Sequence, residues 1–197
     1  MHNVAVGFRV HSGWAAAVVL CGPPDAPVVV DRRKIQLVET FSYTFRQPYH
    51  TAEKMPLPDG AKFIRGVQTG AERLASSALR SVQAEIAEGD FKLACGALLL
   101  ASGRALPGLE QILASHALIH TADGELFRDS LRAGCARCDL PVHAIREKEL
   151  FGTASKALGI QEAVLKRRVA ALGKAIGPPW SQDEKFAALA AWLTLAR

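Results

Sequence analysis

The sequence predicts an α/β domain built on one mixed sheet with helices on both faces. Three observations predict it. The first third carries three strand-like runs joined by turn-forming residues. Near Ala61 the hydrophobic period changes from two to about 3.6 residues. A later run, Leu93–Ala101 (LACGALLLA), is apolar enough to be buried on both faces, as central strands of parallel sheets are.

Each element has its own local reason. Asn3–Val10 alternates apolar and polar residues, and Trp14–Cys21 is a nearly continuous apolar run rich in valine. Gly22-Pro23-Pro24-Asp25 makes a turn before Pro27–Val38, whose Val28, Val29, Val30, Ile35 and Leu37 favour extended chain. Residues 39–60 lack helical periodicity and hold Phe41, Tyr43, Phe45 and Tyr49 among Pro48, Pro56 and Pro58. They read as a long irregular loop that either contacts a partner or folds its aromatics back on the core. Phe63, Ile64, Val67, Ala71, Leu74, Ala78, Val82 and Ile86 then recur at steps of three and four, which makes a long amphipathic helix ending at Gly89-Asp90.

After the strand at Leu93–Ala101 come a short helix over Pro107–Ser115, a helix from a Thr121 cap to about Cys138, and a short strand over Pro141–Ile145. Ala154–Ile176 is helical with a joint near Gly159, and Pro178-Pro179 ends it. Ser181-Gln182-Asp183-Glu184 has the spacing of a capping box, in which serine and glutamate satisfy each other's backbone donors at the start of the final helix.

With 197 residues, 49% hydrophobic and 22% charged, the chain is expected to form a single domain, 1–197, with a sizeable core. That composition excludes disordered, collagenous and disulfide-scaffold classes. The net charge of +5 is spread along the chain without a basic tail, so it permits contact with nucleic acid without requiring it. No apolar run reaches the length of a membrane span. Gly13–Gly22 imitates the core of a signal peptide, but Arg9 and His11 sit too close to a very short apolar stretch, and Leu20 rather than a small residue precedes Cys21. Four cysteines in a chain of this length point to reduced thiols and a cytoplasmic setting.

The element order, and Gly7-Phe8-Arg9-Val10-His11-Ser12-Gly13-Trp14-Ala15 in particular, resembles the glycine-bearing first hairpin of Holliday-junction resolvases of the RuvC type and other ribonuclease H-like proteins. Pro141-Val142-His143 and Ser181–Leu195 resemble the last strand and final helix of that group. The resemblance implies a ribonuclease H-like mixed sheet, a three-strand meander plus two further strands. It also implies two Mg2+ or Mn2+ ions held by carboxylates from the first strand, the end of the fourth strand and the last helix. Here Arg9 stands at the first position, Ser102-Gly103-Arg104 offers no acid at the second, and only Asp183 and Glu184 remain at the third. A guanidinium in place of a carboxylate reverses the local charge and repels cations.

The leading expectation is therefore a degenerate ribonuclease H-like domain that binds nucleic acid or protein. The alternatives are an active nuclease or phosphotransferase rearranged around Asp183 and Glu184 with Glu147 or Glu149, and a small-anion or nucleotide-binding enzyme using Arg9, His11, Ser12, Ser102 and Arg104. An ion pair of Arg9 with Asp183 or Glu184 is expected in place of a free anion site.

Other groups have chemistry to offer. His116 and His120, four apart with Asp123 and Glu125 following, have the spacing of zinc ligands on one helix face. A helix starting at Thr121 leaves His120 outside it, and the two then read as surface or capping histidines, with no metal expected. Cys135-Ala136-Arg137-Cys138 lacks the second pair of a zinc site, and its thiols are expected to pack in the core. Lys166-Arg167-Arg168 reads as a solvated helix face or a phosphate contact.

Overall fold

The computed structural model describes residues 2–101 and 105–196. Five strands form one sheet: β1 (His2–His11), β2 (Trp14–Cys21), β3 (Val28–Gln36), β4 (Phe91–Leu100) and β5 (Val142–Arg146). Their spatial order is β3-β2-β1-β4-β5. The meander β1–β2–β3 is antiparallel, whereas β4 lies parallel to β1 and β5 parallel to β4. The left half of the sheet is thus closed by tight turns and the right half by helical crossovers, as parallel pairing requires.

Eight helices complete the chain among the described residues: α1 (Tyr43–Arg46), α2 (Pro48–Ala52), α3 (Leu57–Glu88), α4 (Leu109–Leu113), α5 (His116–Ala136), α6 (Leu150–Leu158), α7 (Glu162–Leu172) and α8 (Gln182–Leu195). On one face, Val4, Val6, Phe8 and Val10 of β1 pack with Ile64, Val67, Leu79 and Val82 of α3 and Phe127 and Leu131 of α5. On the other, Val18, Leu20, Ala97 and Leu99 pack with α6, α7 and α8. α8 is buried through Ala187–Thr194, so its sequence is apolar all round, as befits a helix covered on several sides. Trp192 anchors its end, its indole N–H donating to the Pro24 carbonyl at 2.7 Å.

Two expectations change. Residues 39–60 are not one irregular loop: they hold α1, α2 and the first turn of α3. The prolines are the reason, because Pro48 and Pro58 occupy first-turn positions, where a missing N–H costs nothing. Tyr49 packs on the core, while Phe41, Tyr43 and Phe45 stay exposed. Second, α5 begins at His116, five residues before the expected cap at Thr121. Thr121 instead bonds back to the Ala117 carbonyl at 3.0 Å, an arrangement of the helix interior.

The alternation of β1 sends Ala5, Gly7, Arg9 and His11 to the α8 side. At Gly7 the helix comes so close that a Cβ would overlap the Ala187 carbonyl and sit 2.8 Å from the Ala191 nitrogen. From Gly7, two residues along the strand span roughly 6.7 Å. Four residues back along α8 from Ala187 span about 6 Å. The two steps match, and they bring Arg9 beside Asp183. Gly7→Ala is expected to destabilise the fold by about 1–3 kcal/mol by overpacking this seam. Denaturant unfolding measures it, and an unchanged midpoint contradicts the close seating.

Candidate functional site

Arg9, near the carboxyl end of β1, is held by two acids from different elements. Its Nε and Nη2 donate to Glu147 Oε2 and Oε1 at 3.0 and 2.7 Å, a two-pronged pairing, and its Nη1 donates to Asp183 Oδ1 at 2.5 Å. Glu147 immediately follows β5, and Asp183 lies in the first turn of α8. Side-chain exposure is 17% for Arg9, 22% for Asp183 and 34% for Glu147, so the cluster is partly shielded from water. The guanidinium lies 4.9 Å from the centroid of the Phe186 ring. His11 Nε2 makes a second contact with Asp183 Oδ1 at 2.8 Å, and its ring stacks on Trp14 at 4.5 Å. One cation and two carboxylates give the trio a net charge of −1.

These partners tune each other. The hydrogen bond to Glu147 raises the Arg9 guanidinium above its ordinary value, against the opposing effect of burial. Burial alone pushes the Asp183 carboxyl up, but the hydrogen bonds and charges of His11 and Arg9 outweigh it and hold Asp183 below the usual carboxylate range. Glu184 is not part of this cluster. Its carboxylate accepts from the Ser181 backbone N–H at 2.8 Å and hydroxyl at 2.5 Å, while Ser181 Oγ accepts from the Asp183 N–H, which completes the expected capping box. Glu149 pairs with Arg146 on the surface at 3.3 Å. Ser12 sits in the β1–β2 turn, where its carbonyl accepts from Arg46 Nε at 3.1 Å. Ser102 and Arg104 lie outside the described residues.

A cleft of about 600 Å³ opens beside Arg9, bordered by His11, Arg128, Glu147, Lys148 and Phe186. Arg128 reaches it from α5; its Nη1 donates to Glu125 at 3.1 Å, and its buried Nε has no partner among the described residues. Sequence reasoning missed Arg128 and Lys148, since nothing in their spacing ties α5 or the residue after Glu147 to β1. An apolar groove of about 520 Å³ lies elsewhere, between Leu37, Val38, Phe45 and α3 residues such as Phe63 and Val67.

The remaining candidates separate. Cys135 and Cys138 are buried; Cys138 Sγ donates to the Ser76 carbonyl at 3.5 Å, and burial pushes the Cys135 thiol up to about 12. In the basic cluster, Arg168 bonds the Asp25 carbonyl and lies 5.1 Å from the Trp192 ring, and Lys166 lies 5.4 Å from the Phe151 ring. Two of its three cations therefore make contacts within the fold. His116 and His120 share a face of α5, with Nε2 atoms 3.0 Å apart, and His50 of α2 packs against both. His50 was invisible from sequence spacing, as it comes from the segment read as loop.

The structure of Thermus thermophilus RuvC in complex with Holliday junction substrate superimposes with a TM-score of 0.55 over 99% of this chain and 94% of that one, at 10% identity. A second T. thermophilus RuvC structure gives a TM-score of 0.50 over 98% and 93%, also at 10% identity. The fold is ribonuclease H-like. No family model and no curated protein sequence matches the chain. No described helix is long and apolar enough to cross a membrane.

The depressed Asp183 carboxyl has a consequence for acid stability. Its folded value lies below its unfolded value of about 4, so the stabilisation is fully present above about pH 4 and is lost as pH falls through the folded value. Denaturant unfolding over a pH series is expected to show wild type more stable than Asp183→Asn near neutrality, with the gap narrowing in acid. A gap that does not depend on pH contradicts the charge pairing.

Proposed function

We propose that this chain is a ribonuclease H-like domain that binds nucleic acid and does not cleave it through a metal pair. One observation carries the reading: the Arg9 guanidinium spans Glu147 and Asp183 with three charge-assisted hydrogen bonds. In related nucleases the acids of this region compensate two divalent cations. Here the two acids that converge are already bridged by a fixed organic cation that cannot be titrated away. A divalent ion would have to displace it and then face it at close range. The residues present do not fit a metal pair, and no catalytic step follows from them.

The same engagement argues against a free anion site at Arg9, since both arms of its fork are filled. The cleft beside it still offers Lys148, together with Arg128, whose Nη1 is shared with Glu125. Basic side chains along a cleft beside this bridged centre suit a phosphate backbone, held by contacts that carry no chemistry. The RuvC structure bound to Holliday junction substrate, together with the net charge of +5, supports nucleic acid as the partner class. The competing reading, an active rearranged centre, is favoured only by the convergence of Glu147 and Asp183.

Gel-shift and cleavage assays on four-way branched DNA and RNA–DNA hybrids, in Mg2+ or Mn2+, separate these readings. Binding is expected that weakens steeply with salt, weakens further in Lys148→Glu, and leaves every strand intact. Cleavage that disappears in Asp183→Asn establishes the active centre instead. Failure to bind any of these substrates at low salt overturns the nucleic-acid assignment.

A further inference from the structure

We propose that His50, His116 and His120 form a site for one zinc-class divalent cation, with a fourth coordination position left to solvent. The site is separate from the Arg9 cluster and goes beyond the nucleic-acid reading. His116 and His120 stand one helical turn apart on α5, their Nε2 atoms 3.0 Å from each other. His50 arrives from α2 and packs edge-on against both, with ring centroids 5.3 Å from His116 and 4.4 Å from His120. One ring nitrogen of each histidine lies within 4.8 Å of those of the other two. Tetrahedral coordination at zinc–nitrogen distances of about 2.0–2.1 Å places ligand nitrogens about 3.3 Å apart. The exposed His116 and His120 need only side-chain rotation to reach that spacing.

The third ligand is set by a buried carboxylate. Asp123, 2% exposed, meets His50 Nδ1 at 2.5 Å through one oxygen and accepts the Tyr49 backbone N–H at 2.7 Å through the other. This pairing keeps the proton on Nδ1, fixes the ring, and leaves Nε2 of His50 as the nitrogen free to ligate. A carboxylate behind a metal-binding histidine orients the ring and raises its basicity. Asp123 is thus a positioning residue.

The donor set selects the ion. Three neutral imidazoles without an oxygen or thiolate ligand suit Zn2+, Co2+, Ni2+ or Cu2+, whereas Mg2+ and Ca2+ prefer oxygen. His50 is buried while His116 and His120 are exposed, which leaves one side of the ion open to water. The ion would clip α2 to the start of α5 and tie down the segment between β3 and α3.

The test uses the full chain without a polyhistidine tag, stripped by chelator, then titrated with Zn2+ by calorimetry and with Co2+ by visible absorption. One equivalent is expected, with the intense d–d bands of four-coordinate cobalt and a raised Tm. His116→Ala and His120→Ala should each weaken Zn2+ binding at least tenfold while leaving the Tm of the stripped protein unchanged, because both rings are exposed. Asp123→Asn should weaken it about 10–100-fold. Asp183→Asn, in the separate Arg9 cluster, should leave uptake intact. The absence of saturable uptake overturns the proposal. So does an affinity that is the same in wild type and both histidine variants, or a cobalt–thiolate charge-transfer band.

Discussion

With no Cβ on Gly7, the backbone of α8 comes into direct contact with β1, and the positions of Arg9, His11 and Asp183 follow from that approach. The strand's alternation puts Arg9 on the helix side, and the matched rise of strand and helix delivers Asp183 to its guanidinium. The capping box holds the first turn of α8 in register from the other end, because Ser181 and Glu184 satisfy its free N–H groups. Glu147 opens the 3-10 turn directly after β5, a strand parallel to β4 and hence to β1. Three separate parts of the chain thus converge beyond the carboxyl ends of β1 and β5.

A charge in that setting is costly unless paired. Glu147 and Asp183 would repel each other with no cation between them, and Arg9 would be an unpaired, largely shielded charge without the acids. The planar fork of arginine answers both needs at once, two-pronged to Glu147 and single to Asp183, with Phe186 against its face. A lysine would offer a point charge without the fork. The cluster is accordingly a structural joint between β1, β5 and α8, and the cleft beside it is bordered by Lys148 and by Arg128, the latter paired with Glu125.

Much of this architecture was legible in the sequence, because its signals were local. The strand meander, the long amphipathic helix, the doubly buried β4 and the capping box each rest on residues close together in the chain. The Arg9–Asp183 pairing was reachable through the resemblance of the first hairpin and last helix to ribonuclease H-like proteins. What was not legible depended on context. Pro48 and Pro58 read as loop formers but open helices, since proline is equally at home in a first turn. Thr121 read as a cap but sits inside α5, which hid the shared face of His116 and His120. His50, Arg128 and Lys148 reach their sites from distant elements, and no periodicity encodes that.

The central claim is that the Arg9 guanidinium joins Glu147 and Asp183 into one charged cluster. A double-mutant cycle at Arg9 and Asp183, using Arg9→Met, Asp183→Asn and the pair, followed by denaturant unfolding near neutral pH, measures it most directly. The structure predicts a favourable coupling of about 1–3 kcal/mol, in the range of hydrogen bonds to charged groups. A coupling indistinguishable from zero would contradict it, and would mean that Arg9 leaves its acids free in solution.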